Sequence, residues 1–361
     1  MRLSLKPVEH FVRRRLLQAS RRRFSGTLAT GPEDLLHLPA APAILLMRQE
    51  RIGDVLVGIP VLRALRQRYP AARIHFLVSR NNYAVRDAVG PFVDRVWRYD
   101  KTVGSAVALL RALRRERYDV VVDLVDNPSA TSRLVIGWCG ARLAVGLAHA
   151  EAGGYSHAAP LLDRASVHPV ERLAQLLLPF GIDPARVALD LEYRLSDADE
   201  RRARQLLGPR RRPLRFGINL SGRGPQRYWG RDNFVRFIRH LAGVDDRFQV
   251  SVCGAPGDAN EVAAVAAATG LEPVPPLRSL HDFAAVIHEF DMVLTPDTSV
   301  IHLAAAWKIP TVALYHRQPG VMPWLPYRSP HRALIDDRGI GWIPLEAATA
   351  ALDELRVEMF G

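Results

Sequence analysis

Cysteine is nearly absent from this chain: there are two, Cys139 and Cys253, far apart and without metal-ligand spacing. That excludes a disulfide framework or a cysteine-built zinc site, and it predicts a reducing, cytoplasmic compartment. Cys253, which follows the apolar Val250 and Val252, reads as a buried strand residue. Long apolar runs are missing too. No window reaches the roughly 18 to 20 uncharged apolar residues of a membrane-spanning helix, so the chain is not expected to cross a bilayer by itself. No glycine loop ends in Gly-Lys-Ser/Thr and no Gly-x-Gly-x-x-Gly occurs, which weakens kinase and dehydrogenase readings. A recognised nucleic-acid reading module and an aromatic stacking array are also lacking, so no nucleic-acid partner is expected.

What is present is a globular composition, 48% hydrophobic and 24% charged, on 361 residues, long enough for two domains. The net charge of +12 predicts attraction to something acidic, such as an anionic membrane surface or a phosphorylated substrate. Part of it is concentrated early: Arg13, Arg14, Arg15, Arg21, Arg22 and Arg23 surround a helical face of Val8, Phe11, Val12 and Leu16. Such a segment fits either a basic amphipathic helix on an anionic membrane or a solvated extension. No apolar segment follows the paired arginines, which excludes a twin-arginine export signal.

From Ala43 the pattern alternates. Strands are predicted at Ala43 to Met47, Ile74 to Val78, Arg95 to Tyr99 and Val120 to Leu124, with helices at Val55 to Arg68 and Val103 to Arg115 between them. Alternation of this kind implies a parallel sheet wound through right-handed crossovers. Gly153 to Pro213 carries mainly helical signals and reads as a connector. Within it Ser196 and Asp199 predict a capped helix start, so Asp197-Ala198-Asp199 is read as capping and not as a metal-binding Asp-x-Asp. A second series begins at Leu214: strands at Leu214 to Leu220, Phe248 to Cys253, Met292 to Thr295 and Thr311 to Tyr315. Its helices are predicted at Arg231 to Leu241, Asp258 to Thr269, Leu280 to Glu289 and Ser299 to Trp307. The expected organisation is a basic extension over 1–42, an acceptor-side α/β domain over 43–190, a linker over 191–213, a nucleotide-sugar domain over 214–345 and a C-terminal helix over 346–361. Two parallel-sheet, Rossmann-like domains would then face a cleft, with ligands beyond the carboxyl ends of the strands.

Three loops occupy such positions. Arg48 to Asp54 leaves the first strand; Gly53 permits a tight turn, and Asp54 either caps the next helix or presents a carboxylate. Leu220 to Trp229 is glycine-rich, with Ser221, Gly222, Arg223 and Arg227 suited to a phosphate. Asp297, Thr298 and Ser299 open a helix whose free amides suit a diphosphate, with His302 one turn on.

Together these loops resemble the bacterial heptosyltransferase family. ILLMRQERIGDVLVGIPVLRALRQRYP, residues 44–70, is similar to the family's opening, and DMVLTPDTSVIHLAAAWKIPTVALY, residues 291–315, to its donor segment. The likeness spans about residues 43–345. It implies a GT-B fold and inverting transfer from ADP-heptose to a lipopolysaccharide core. No cofactor and no metal are expected, because arginine, amide dipoles and hydroxyls can take a metal's place at the diphosphate. Carried over residue by residue, Asp54 matches the general base, Arg227 the phosphate-supporting cation, and Asp297, Thr298 and His302 the donor turn. Asp258 or Glu261 would meet the ribose, and Arg51, Asn127 and Thr131 are expected on the acceptor side. Arg227 stands where lysine is usual and Ser299 where glycine is usual. The first 40 residues are an addition to the family's usual start. Alternatives are a transferase using another nucleotide sugar for capsule or O-antigen, and a non-catalytic homologue that binds sugar nucleotides. The glycolipid acceptor implies a peripheral position on the inner face of the cytoplasmic membrane.

Overall fold

The computed structural model describes residues 27–28, 35–100, 102–127, 129–149, 154–222 and 224–361. The arginine-rich first 25 residues and Arg223 lie outside the described residues. The chain divides into two compact units. The first takes in the described residues of Met1–Asp163 with Pro169–Leu189, and the second Arg164–His168 with Asp190–Gly361.

The first unit is a parallel sheet of seven strands: β1 (Thr27–Leu28), β2 (Ala43–Met47), β3 (Arg73–Ser79), β4 (Arg95–Tyr99), β5 (Val120–Asp123), β6 (Leu143–Leu147) and β7 (His157–Ala159). They lie in the order β1-β7-β6-β5-β2-β3-β4. Central β2, AILLM, is buried along its whole length, as a strand covered on both faces must be. Helices α1 (Ile52–Leu56), α2 (Ile59–Arg68), α3 (Val103–Arg115), α4 (Ala130–Trp138) and α5 (Pro169–Ala174) connect or cover it. The single helix predicted over Val55 to Arg68 is two. Pro60 has no N–H to give the Leu56 carbonyl, so the first helix stops and α2 restarts with Pro60 in its first turn. α3 and α4 start on side-chain caps, Thr102 accepting from the Ser105 amide and Ser129 from the Ser132 amide. Their inner faces pack Leu109, Leu113, Val135 and Ile136 against Leu45, Met47 and Val121.

The second unit is also parallel, with β8 (Leu214–Asn219), β9 (Phe248–Cys253), β10 (Met292–Pro296), β11 (Thr311–His316) and β12 (His331–Asp336) in the order β12-β11-β10-β8-β9. Its helices are α6 (Asp197–Leu207), α7 (Arg231–Val244), α8 (Ala259–Thr269), α9 (Leu280–His288), α10 (Ser299–Ala306) and α11 (Leu345–Phe360). Phe216, Trp229, Phe234 and Phe237 form the aromatic centre of its core, and the Trp229 indole N–H donates to the Ile343 carbonyl at 2.9 Å.

Two further stretches differ from expectation. The mainly helical reading of 153–213 misses β7, a three-residue strand held in parallel by β6. The stretch 191–213 contains α6, which is packed on α9 within the second unit. Arg202 pairs with Asp282 at 3.1 Å and Arg204 with Glu289 at 2.8 Å. Ser196 and Asp199 form the reciprocal cap: the Asp199 amide donates to Ser196 Oγ and the Ser196 amide to Asp199 Oδ2. Those bonds from Ser196 hold the Asp199 carboxyl down at about 2. Among the described residues no helix is long and apolar enough to cross a membrane.

Candidate active site

In the first unit the site is built where β2 ends. The chain turns from a wholly apolar strand directly into Arg48, whose side chain is 2% exposed, and a buried guanidinium requires anionic partners. Three carboxylates meet its Nη2: Glu50 Oε2 at 3.1 Å, Asp54 Oδ1 at 3.3 Å and Asp126 Oδ1 at 3.6 Å. Its Nη1 donates to the Leu124 carbonyl, and Asn82 Nδ2 donates to the Arg48 carbonyl at 3.0 Å. Burial pushes the Glu50 carboxyl up, against the pull of Arg48.

Asp54 is the third residue of α1 and not its N-cap, which is Arg51. Its Oδ2 accepts the Arg51 backbone N–H at 2.7 Å, so the carboxylate is gripped on one oxygen by an amide and on the other by Arg48. Asp54 thus satisfies the helix start and is held as a nearly buried carboxylate. Arg51 is exposed, as is Asn127 in the turn after β5, while Thr131 is half-buried in the first turn of α4.

In the second unit the site gathers at the carboxyl ends of β8 and β10. Asn219, 2% exposed, joins them. Its Nδ2 lies 2.9 Å from Thr295 Oγ1 and 3.2 Å from Thr298 Oγ1, and its Oδ1 accepts the Ser221 amide at 3.1 Å. Thr298 caps α10, accepting from the Val300 amide, and Ser299 is the first helical residue. Asp297 pairs with Arg227, Nη2 to Oδ2 at 3.1 Å, while Arg227 Nη1 also reaches the Asp297 carbonyl at 3.3 Å. A guanidinium is thus fixed beside the N-terminal amides of a helix, and both features favour anions.

Asp258 and Glu261 separate in this geometry. Asp258 Oδ2 accepts from the Ser221 hydroxyl at 2.5 Å, and the same Ser221 Oγ accepts the Ala255 amide at 2.6 Å. Glu261 is occupied elsewhere. Arg231 contacts it at 3.0 and 2.5 Å, the Tyr228 hydroxyl donates to it as well, and Arg231 holds its carboxyl below the ordinary range. His302 is buried, with its ring centroid 6.0 Å from that of Trp324. Burial, and secondarily His168, push its imidazole down to about 3, so it is neutral at physiological pH. Its Nδ1 has no hydrogen-bond partner among the described residues.

Arg48, Asp126, Arg172 and Asn219 were not singled out from the sequence. For Arg48 and Asn219 a signal existed: each is a polar residue ending a strongly apolar strand.

A model of glycosyltransferase family 9 (heptosyltransferase) matches residues 106–334. The chain belongs to glycosyltransferase family 9. The transferase is 24% identical over 292 residues to lipopolysaccharide heptosyltransferase 3 of Escherichia coli, covering 76% of this chain and 82% of that one. Its fold matches a glycosyl transferase family 9 protein from Veillonella parvula with a TM-score of 0.74 at 20% identity, over 90% of this chain and 99% of the other. It matches the ADP-heptose lps heptosyltransferase II of Escherichia coli with a TM-score of 0.70 at 21% identity, over 88% and 99%. Both α/β units of the transferase are accounted for by the GT-B fold of these enzymes.

Proposed function

We propose that this glycosyltransferase moves a heptose from ADP-heptose to a lipopolysaccharide core, by direct displacement that inverts the sugar C1. The acceptor hydroxyl attacks C1, its proton passes to the Asp54 carboxylate, and the C1–O bond to the diphosphate breaks with its electron pair leaving on ADP. The single observation that carries this reading is the grip on Asp54. A carboxylate held on both oxygens by Arg48 and the Arg51 amide keeps one orientation, which is what a general base needs.

On the donor side, Arg227 and the first amides of α10 meet the charge of the leaving diphosphate, with Thr298 fixing the helix start. These groups do the work of a metal ion, so transfer is expected to continue in excess chelator. Arg223 belongs to the same donor loop by sequence. Asp258 is the better partner for the ribose, because Glu261 is engaged by Arg231 and Tyr228. Arg51, Asn127 and Thr131 are assigned to the acceptor. The acceptor's lipid places the enzyme at the inner face of the cytoplasmic membrane, peripherally.

A second donor is favoured by one feature. Ser299 adds a side chain at the first residue of α10, where the diphosphate approaches. A different nucleotide sugar, used for capsule or O-antigen, would suit that change. Mass spectrometry of a core-lipid extract incubated with enzyme and ADP-heptose tests the main reading: one added heptose supports it. No addition, together with calorimetric binding of another nucleotide sugar from a panel, replaces heptose by that sugar.

A further inference from the structure

Asp126 takes no part in the transfer as described, yet its side chain is only 4% exposed and stands between two buried guanidiniums. Its Oδ2 accepts from Arg172 Nη2 at 2.6 Å, and its Oδ1 lies 3.6 Å from Arg48 Nη2. Arg172, on α5, has a side chain that is 0% exposed. Burying such a set costs desolvation that mutual attraction only partly returns, and apolar side chains of similar volume often stabilise a fold as well or better. Stability alone is therefore a poor reason for charges here. Geometry is a better one, because the chain of contacts runs from Arg172 through Asp126 and Arg48 to Asp54.

We infer that Asp126, anchored by Arg172, is a positioning residue that fixes Arg48 and, through it, the orientation and charge environment of Asp54. This rests on Asp54 acting as the base. That carboxylate meets Arg48 on one oxygen and the Arg51 amide on the other, while Glu50 and Asp126 meet the same Arg48 Nη2 and the buried Asp123 also feels its charge. The turn Arg80–Val85, packed against α1, adds the exposed Arg80 and the buried Asn82, which holds the Arg48 backbone. Without Asp126, Arg48 would lose one of three anionic partners. Its charge would fall more fully on the remaining two, and its side chain would lose the contact that fixes it from behind.

Asp126→Asn alone takes a carboxylate away from the buried Arg172 guanidinium and threatens folding. The test therefore uses the double variant Asp126→Asn/Arg172→Gln, which removes both charges, and Asp126→Glu, which keeps the charge but moves it by one methylene. Each is measured in the full chain for thermal melting, donor KM, kcat and the pH profile of kcat. The expected result is unchanged donor KM in both, with kcat down about tenfold or more in the double variant, a fraction of a general base's usual effect. Asp126→Glu should recover part of kcat. Unchanged kcat and profile in both variants, whatever the melting temperature, would overturn the inference. Asp54→Asn is run beside them. Full activity in Asp54→Asn removes the base itself and the inference with it, whereas an inactive Asp54→Asn beside an unaffected double variant defeats the inference alone.

Discussion

Gly222 folds against the backbone of Arg227 so closely that a Cβ at position 222 would stand 1.8 Å from the Arg227 carbonyl oxygen. The glycine is needed to close the loop on itself, and the closed loop aims the Arg227 guanidinium at Asp297. Gly222→Ala should therefore push residue 227 away. The expected result is a loss of ADP affinity of about tenfold or more by calorimetry, with roughly 1–3 kcal/mol of stability lost in denaturant melts, the usual cost of overpacking. Unchanged ADP affinity would show that the loop can close another way.

Arg227 itself makes two contacts to residue 297, through the side-chain carboxylate and the backbone carbonyl. A lysine can make one such contact as a point charge but cannot fork between two acceptors. Arg227→Met is expected to cost roughly 1.5–3 kcal/mol of donor affinity, the range for hydrogen bonds to charged groups. Arg227→Lys should fall between that and the native value. Equal donor KM in all three proteins would separate this residue from the phosphates.

His302 predicts a pH effect. Its imidazole is pushed from 6.5 down to about 3 by burial. The unfolded chain takes up a proton near pH 6.5 and the folded one does not until about 3, so the unfolded state binds more protons between these values. Stability from this residue is complete above 6.5 and declines as pH falls toward 3. Replacing it with Gln should flatten that acid decline in urea melts. An imidazole seen by NMR to titrate near its ordinary value would remove the effect.

Asp123 acts in the opposite sense. Burial raises its carboxyl from 3.8 to about 6, although Tyr155, Ser132 and the Val125 amide all bond to it. The folded state then holds more protons between 3.8 and 6, and stability falls as pH rises through that window. Asp123→Asn should be more stable than the native protein at about pH 8 and gain nothing at about pH 3.5, since each tenfold change in proton affinity is worth about 1.4 kcal/mol. Equal loss at both pH values would mean that the hydrogen bonds outweigh the charge.

The wound α/β character was legible because β2, β8 and β10 are short apolar runs separated by helical periods, a pattern that survives without tertiary information. The loops at the strand ends were legible for the same reason: Asp54, Arg227 and Asp297 fall where ligands meet such sheets. What stayed hidden depended on partners distant in sequence. β7 is three residues long and exists through its pairing with β6. Asp126 and Arg172 are separated by 46 positions and meet only after folding. Tyr228 and Arg231, which occupy Glu261, lie 33 and 30 positions from it and meet it only in the fold. The break between α1 and α2 was written in Pro60 but masked by the apolar spacing that runs through it.

Asp54 is proposed to accept the acceptor proton during sugar transfer. The most direct test is single-turnover transfer from enzyme-bound ADP-heptose to a lipopolysaccharide core acceptor, comparing the native protein with Asp54→Asn. The expected result is a transfer rate lower by about 10²- to 10⁴-fold with donor affinity unchanged. An Asp54→Asn protein that transfers heptose at the native rate would contradict it.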